Sequence, residues 1–531
     1  MNYFTLMVKF QEYARDILKG FHKEMEGKAD YIHSCVELGK SQKQKFKDGW
    51  SYGTSADYSL STKIEILKGE ELTLLTAELI EGIPSAKVGQ RDVKFLIEQA
   101  RKNAIRTDVV IPKKELPIPA KSHIGDDKSI SIPPDFTRSL KDATKNDSDF
   151  LIYSSYGFDS RKIYQLDSNG VENFQVLRNL HVYFNVYISP EEMIDRTLGI
   201  NPQTITDINH LYEMMKFISD ISPEQHFRDA TSPVELVEKL TKTAKNMSKN
   251  GQRISNGLFN VITPSPVPFH EMLGHYFEGT VRMKRKYPEE STYEARSLFD
   301  EYTKNLSIPK SLSLISNPLM NSDEEIEKMN RVRLFGGFDY DLEMFPAERK
   351  VLIDRGKIGG RKIGSRYADV NEVGNAMSSV LSSIPQPRMC VLYAPPATKG
   401  PKSVEEMIEM TDKKNVLLTV KSIGECFSEE GFAHIGRIGI DDTYKTLELS
   451  PEAYIVKNGN LVPVKIPFHF STLSYRAFPD LVLSDRDLYY VDSGYCGSEI
   501  PKGGYDFVPT TQLGPMLLMK NTPVITYEKR V

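Results

Sequence analysis

Cysteine is scarce in this chain of 531 residues: there are four, at Cys35, Cys390, Cys426 and Cys496. They lie far apart, and none belongs to a C-x-x-C pair. This spacing disfavours a disulfide framework and favours a reducing compartment. We therefore expect a protein of the cell interior that is not held together by disulfides.

Long apolar runs are also missing. No stretch approaches the roughly 18 apolar residues of a membrane span. The first segment carries charges inside its apolar pattern and lacks a signal-peptide core with a small-residue cleavage site; it reads "MNYFTLMVKFQEYARDILKG". We expect a soluble cytoplasmic chain with no membrane partner.

An excess of charge of one sign is absent, because 68 Lys and Arg face 72 Asp and Glu, for a formal net charge of −4. A nucleic-acid binder needs a basic face, and the basic run that begins at Arg282, "RMKRKYP", is typical of solvated surface. We therefore expect no nucleic-acid partner. Hydrophobic residues make up 40% and charged residues 26%, as in ordinary globular proteins. The length indicates two or three domains.

The first part of the chain predicts helices mixed with antiparallel strands. Apolar residues recur at helical spacing from Tyr3 to about Leu38, and alternation then follows in "YSLSTKIEILKGEELTLLTAELIEG". A second helix begins at Arg91. A strong hairpin turns at Ser168-Asn169-Gly170. We group residues 1–220 as an N-terminal α/β domain.

The second part, residues 221–531, predicts a β-rich domain. It opens with the helix start Ser232-Pro233. From Gly336 onward, short strand-like runs alternate with Gly, Pro and Asp clusters, and Asn458-Gly459 marks a hairpin. The expected architecture is a large antiparallel sheet, sandwich or barrel. The fold class is therefore α+β.

One short segment of this second domain carries candidate metal ligands. In "PVPFHEMLGHYFEG" two histidines, His270 and His275, flank Glu271. The zinc helix H-E-x-x-H places its histidines four apart and uses the glutamate as general base. Residues five apart on a straight α-helix differ by about 140° in direction. A shared metal ion therefore requires a π-bulge or a break, which we expect at Leu273-Gly274.

Two interpretations of the segment remain open at this point. In the first, both histidines are partly buried residues of an amphipathic core helix. In the second, they bind a metal ion. Glu271 directly follows His270, as the base for a metal-bound water should. Glu278 lies one turn beyond His275 and could support an imidazole.

A catalytic zinc ion needs a third protein ligand and an open position. Cys496, in the glycine-flanked stretch "DSGYCGSEIPKGG" that we expect to form a loop, is a weak candidate on spacing alone. The remaining cysteines, Cys35, Cys390 and Cys426, lie in apolar or strand-like runs and are interpreted as small core residues.

The segment "HEMLGHYFEG" resembles the H-E-x-x-x-H signature of the TldD/PmbA family of metalloproteases. The resemblance continues in order along the chain. "GGFDYDLEMFPAERKVLIDRGKIGG" is similar to the family's acidic segment and following strand, "PQPRM" to its P-x-P-R-M element, and "GYCGSEIP" to its cysteine segment. It covers roughly residues 150 to 520.

The resemblance implies that His270, His275 and Cys496 bind Zn²⁺ and that Glu271 is the general base. It also implies a barrel-like antiparallel C-terminal domain and an interior site that admits unfolded peptides. Family members pair a zinc-bearing TldD subunit with a PmbA (TldE) subunit. We therefore expect a homodimer or a heterodimer with such a chain.

The chain also departs from the family pattern. "SEIPKGGYD" follows Cys496 in place of the usual Lys and Gly-Gln, and "FDYDLEMF" replaces Asp-Asp-Glu-Gly. These changes concern substrate contacts and partner choice. The predicted function is a zinc metallopeptidase acting on unfolded or extended peptides. The alternatives are a non-catalytic PmbA/TldE-like subunit and a zinc hydrolase of a non-peptide amide.

Overall fold

The computed structural model describes most of the chain. The described residues are 3–69, 71–80, 90–102, 105–107, 117–124, 132–145, 150–188, 193–201, 232–279, 307–319, 334–368, 372–379, 384–419, 422–423, 444–449, 452–465, 469–474, 479–485, 489–499 and 505–526. The predicted domain boundary near residue 220, Cys426 and the run from Arg282 all lie outside them.

The helices of the described residues are α1 (Tyr3–Met25), α2 (Gln90–Lys102), α3 (Pro134–Ala143), α4 (Pro233–Asn250), α5 (Pro266–Met272) and α6 (Val404–Glu409). The predicted start of α4 is confirmed. Ser232 is its N-cap and accepts a hydrogen bond from the backbone N–H of Glu235 at 3.3 Å. Pro233 follows at a position where a missing N–H costs nothing. In these helices no segment is long and apolar enough to cross a membrane.

The first sheet is built almost wholly from antiparallel neighbours. Its strands are β1 (Tyr31–Lys47), β2 (Trp50–Lys68), β3 (Glu71–Ile80), β4 (Ile105–Thr107), β5 (His123–Ile124), β6 (Leu151–Asp167), β7 (Glu172–Tyr187) and β8 (Met193–Ile200). The order is β4-β3-β2-β1-β6-β7, and both β5 and β8 pair with β7. The β6–β7 hairpin confirms the turn predicted at Asn169-Gly170, where Gly170 has a φ of 80°.

The second sheet has β24 (Tyr505–Thr526) at its centre. Its other strands are β9 (Gly257–Pro264), β10 (Leu314–Ser316), β11 (Lys350–Asp354), β12 (Lys357–Ile358), β15 (Val391–Tyr393), β16 (Val416–Thr419), β17 (Ser422–Ile423), β18 (Tyr444–Leu449), β19 (Ala453–Lys457), β20 (Asn460–Pro463), β21 (His469–Ser474), β22 (Val482–Leu483) and β23 (Tyr489–Glu499). Strands β13 (Ala376–Met377) and β14 (Gln386–Pro387) form a separate pair. Strand β24 pairs with β9, β15, β21, β22 and β23, so it is the strand on which the other parts of this sheet converge.

Two expectations need correction. The first helix ends at Met25, and after a short turn the residues from Tyr31 to Leu38 belong to β1, because the buried run "YIHSCVEL" is a strand with both faces covered. The second sheet is mixed, since β15 runs parallel to β24 and β16 parallel to β9. Among the described strands its order is open, so the expected barrel is not closed. The α+β class is confirmed.

Several apolar cores hold the sheets and helices together. One contains residues of α1 and α2 packed on the first sheet, including Leu18 and Leu96. Another joins both sheets, because Leu180 of β7 and Leu513 of β24 belong to the same buried cluster. A third surrounds α5 and the second sheet. Helix α5 is therefore fixed inside the second sheet's core and not on a surface loop.

Candidate metal centre

The helix that carries His270 is short and ends where the sequence predicts a break. Helix α5 spans Pro266–Met272, Leu273 lies at its C-terminal end with a φ of −116°, and a 3₁₀ turn occupies Gly274–Phe277. The histidines are therefore not on one unbroken α-helix. The break is a change to the tighter 3₁₀ geometry and not to the wider geometry of a π-bulge.

Close packing favours glycine at the break. A Cβ added to Gly274 would lie 2.7 Å from Met389 Cε and 3.2 Å from a methyl group of Leu392. On either side, Leu273 and Phe277 are buried in the same apolar core as those two residues. The 3₁₀ turn is thus held by apolar contacts against β15 and the residues before it.

The structure brings two of the predicted ligands onto neighbouring elements. Helix α5, which carries His270, packs against β23, which carries Cys496. Both side chains are buried, with exposed fractions of 2% for His270 and 6% for Cys496. The backbones of Glu271 and His275 lie in α5 and the 3₁₀ turn, whereas their side chains are outside what the structure describes.

The chemistry of the donors fits zinc. A neutral imidazole and a thiolate are both ordinary zinc ligands, and a catalytic site uses three such groups. Within the described side chains no group of three metal-ligating residues is assembled. The side chain of His275 is not among those described, so the set of His270, His275 and Cys496 remains a prediction.

A buried arginine links the two segments. Arg388 follows β14, is 1% exposed, and directs Nη1 towards Cys496 Sγ at 3.7 Å. The same nitrogen lies 4.0 Å from Glu278 Oε2. Glu278 Oε1 accepts a hydrogen bond from the backbone N–H of Met389 at 3.1 Å. These contacts of Glu278 are with residues 388 and 389, and its support of an imidazole stays a prediction.

The acidic segment before β11 forms a tight turn around a buried carboxylate. Asp341 Oδ1 accepts hydrogen bonds from the backbone N–H groups of Glu343 and Phe345, each at 2.9 Å. Between them, Met344 has a φ of 72°, a conformation that glycine adopts most readily. The TldD/PmbA family, which the sequence resembles, has Asp-Asp-Glu-Gly in this segment and so includes a glycine. In this chain the hydrogen bonds to Asp341 stabilise a turn that a methionine would not favour by itself.

A second polar cluster connects this segment to the first sheet, and sequence reasoning missed it. Glu65 of β2 accepts a hydrogen bond from the Tyr367 hydroxyl at 2.9 Å and lies 2.8 Å from Lys63 Nζ. Arg366 Nη1 is 3.8 Å from the same carboxylate. Lys63 and the nearby cations hold the pKa of Glu65 well below its usual range against the opposing effect of burial. No spacing in the sequence marks residues 300 positions apart as partners.

The other described cysteines behave as core residues. Cys35 of β1 and Cys390, just before β15, are fully buried and share an apolar cluster with Cys496. Burial raises the pKa of both the Cys35 and Cys390 thiols above the ordinary range. The interpretation of these two as small hydrophobic residues is confirmed.

Comparison with solved structures identifies the fold. TldE from Thermococcus kodakarensis superposes with a TM-score of 0.61 at 15% identity, over 96% of this chain and 100% of that one. A candidate modulator of DNA gyrase from Thermotoga maritima gives 0.56 at 14% identity, over 97% and 100%. Another, from Bacteroides thetaiotaomicron, gives 0.53 at 12% identity, over 97% and 98%. No protein-family model and no curated protein sequence matches the chain.

These identities are low enough that the likeness shows the fold alone. The fold is that of the TldD/TldE/PmbA group, as the resemblance in the sequence implies, and it extends over nearly the whole chain. The matches say nothing of metal content or of the reaction catalysed.

Proposed function

We propose that this chain is a zinc-dependent peptidase of the TldD type. The observation that carries the proposal is the packing of α5 against β23, which brings buried His270 and buried Cys496 onto adjacent elements within a TldD/TldE-like fold. His270, His275 and Cys496 are the proposed ligands. A bound zinc ion would polarise the scissile carbonyl and lower the pKa of a bound water to about 7.

The residues of the chain supply the other requirements of hydrolysis. Glu271 takes a proton from the attacking water and passes it to the leaving amine. Phe269, which precedes His270, and Leu273, three residues after it, are buried in the apolar core, which fixes the helix and excludes water from its inner face. Rigid support of this kind keeps a general base within reach of its proton.

We propose extended or unfolded peptides as substrates, because a buried site between a helix and a sheet cannot receive a folded protein. The resemblance to the TldD/PmbA family supports a dimer, either of this chain with itself or with a PmbA/TldE-like chain, and such a dimer would enclose the site. Its cytoplasmic location remains an expectation.

A second candidate is a non-catalytic, TldE-like subunit, which the match to TldE favours. No separate observation favours the third alternative, hydrolysis of a non-peptide amide. The two leading candidates differ in metal content and in activity. The TldD-like protein holds zinc and cleaves peptides, whereas the TldE-like subunit does neither alone.

The test is elemental analysis of the purified full-length chain beside an assay with an unfolded peptide substrate. The proposal expects about one zinc per chain and metal-dependent cleavage. Replacing Cys496 by Ala should remove the metal, whereas replacing Cys35 by Ala, as a matched buried cysteine, should leave it. A chain with no transition metal that still cleaves peptides would contradict the proposal. A chain with neither metal nor activity would support the TldE-like alternative.

A further inference from the structure

Arg388 is buried at the junction of three segments, and both terminal nitrogens of its guanidinium make contacts there. Nη1 faces Cys496 on β23 and Glu278 beyond the 3₁₀ turn. Nη2 donates a hydrogen bond to the backbone carbonyl of Asp506 on β24 at 3.3 Å. Its own backbone N–H donates to the carbonyl of Asn375 at 3.0 Å. A single side chain therefore joins the end of the histidine segment to the cysteine strand and to its neighbour.

Glu278 is also fixed by several contacts, through its side chain and through the neighbouring backbone. Its carboxylate accepts a hydrogen bond from the backbone N–H of Met389 and forms a longer ion pair, at 4.0 Å, with the guanidinium of Arg388. The backbone on both sides of Glu278 is bonded to Ile363, through Phe277 O and Gly279 N, each at 2.7 Å. The end of the histidine segment is thus anchored at a fixed place, and Arg388 transmits that position to Cys496.

We propose that Arg388 is a positioning residue that orients the Cys496 sulfur toward the metal centre. The inference rests on the proposed function. Burying a guanidinium is costly, and Glu278 alone would compensate its charge. Pairing with Glu278 does not by itself explain the direct contact with sulfur. Second-layer groups that fix a metal ligand are worth about 10- to 100-fold in metal affinity.

The choice of arginine agrees with this role. Its planar group has five N–H donors in a fixed arrangement and can serve a sulfur, a carboxylate and a carbonyl at once. A lysine keeps the charge but offers a single nitrogen, which cannot reach all three acceptors. Arg388→Lys should therefore retain the ion pair with Glu278 and orient Cys496 less well.

The experiment uses the full-length chain stripped of metal and titrated with Co²⁺, followed by Zn²⁺ competition against a chelator. Cobalt bound to a thiolate gives a sulfur-to-metal charge-transfer band in the near ultraviolet, which reports Cys496 directly. For Arg388→Met we expect this band to weaken strongly and zinc affinity to fall about 10- to 100-fold. Arg388→Lys should give intermediate values. Arg196→Lys is the matched control, because Arg196 is a buried arginine whose carboxylate partner is Glu452.

A folded Arg388→Met variant with the full charge-transfer band and unchanged zinc affinity would overturn the inference. If that variant does not fold, Glu278→Gln takes its place, since it removes the charge partner of Arg388 and leaves the arginine intact. An unchanged band in Glu278→Gln would then overturn the inference. A wild-type chain that binds neither Co²⁺ nor Zn²⁺ would instead contradict the proposed function. The two failures are therefore distinguishable.

Discussion

The protonation of the buried residue Glu343 depends on its burial and on a neighbouring arginine. Glu343 is fully buried in the acidic segment, and its carboxylate accepts a hydrogen bond from the backbone N–H of Arg366. Burial raises the pKa of Glu343 to about 8, although the guanidinium of Arg366 acts in the opposite direction. Near neutral pH this glutamate therefore holds a proton in the folded protein.

The raised pKa of Glu343 predicts a pH-dependent stability. Its pKa in the folded chain, about 8, lies above the ordinary value of 4.5. Between these limits the folded chain holds a proton that the unfolded chain has released, so the Glu343 contribution to stability falls as pH rises through this window. Glu343→Gln, which cannot titrate, should flatten the decline. Urea unfolding of wild type and variant across that pH range measures it.

Glu348 provides the control for this prediction, because it lies in the same segment and is largely exposed. The Glu348→Gln variant carries the same amide substitution at the surface, so it shows what this substitution does without the removal of a buried carboxyl group. Equal slopes in the Glu343→Gln variant and the wild type would show that Glu343 is ionised in the folded chain.

At the level of elements, the turn before the acidic segment fixes how the chain approaches β24. Gly336 has a φ of 83°, and a Cβ at this position would lie 2.1 Å from the backbone carbonyl oxygen of Pro509. A backbone atom cannot move aside as a flexible side chain can. The turn therefore requires glycine for two separate reasons.

Substituting this glycine tests the close approach. We expect Gly336→Ala to lower the free energy of unfolding by about 3 to 5 kcal/mol, at the large end for a single substitution. Gly170→Ala is the comparison: its φ is also positive, at 80°, but no atom lies within 4 Å of the added Cβ. It should cost only about 1 to 2 kcal/mol. Chemical denaturation followed by circular dichroism measures both, and equal costs would refute the contact.

The elements differ in how well local sequence predicts them. The Asn169-Gly170 and Asn458-Gly459 turns and the start of α4 are confirmed, because each depends on residues next to one another. The run to Leu38 was assigned to the wrong element, because apolar spacing does not distinguish a doubly covered strand from a buried helix. The parallel pairing of β15 with β24 depends on residues 120 positions apart and leaves no local signal.

In the candidate site, too, local sequence predicts some features and not others. The break in the histidine helix follows from its five-residue spacing and is confirmed at Leu273. Arg388 and Glu278 lie in segments that the resemblance also marks, but their mutual contact depends on the tertiary fold. The ligand roles of His275 and Cys496 remain predictions.

On the scale of the whole molecule, a series of polar contacts, one ion pair and two hydrogen bonds, supplements the apolar core between the two sheets. Arg161 of β6 forms a bidentate pair with Glu37 of β1, at 2.8 and 2.7 Å, and donates to the backbone carbonyl of Ser378 at 2.7 Å. Ser379 in turn donates its backbone N–H to Asp506 of β24 at 2.7 Å. These contacts connect the first sheet to β24, which pairs with the strand that carries Cys496. Movement of one sheet against the other would therefore disturb the site.

Assembly is also predicted at this scale. If a second copy of this chain encloses the site, light scattering of the pure protein should give the mass of a dimer. Unfolded peptides should then be cleaved and folded proteins spared, because only an extended chain can reach the buried helix. A monomer that cleaves folded and unfolded substrates equally would contradict this account.

The central claim is that the segment from His270 to His275 holds a catalytic metal whose base is Glu271. The most direct test is zinc stoichiometry measured beside the peptide-cleavage rate in Glu271→Gln and His270→Ala. We predict that Glu271→Gln retains zinc while losing about 10²- to 10⁴-fold in rate, and that His270→Ala loses both. A Glu271→Gln variant that keeps its zinc and its full rate would contradict the assignment of the base, and a His270→Ala variant with undiminished zinc would contradict the metal centre.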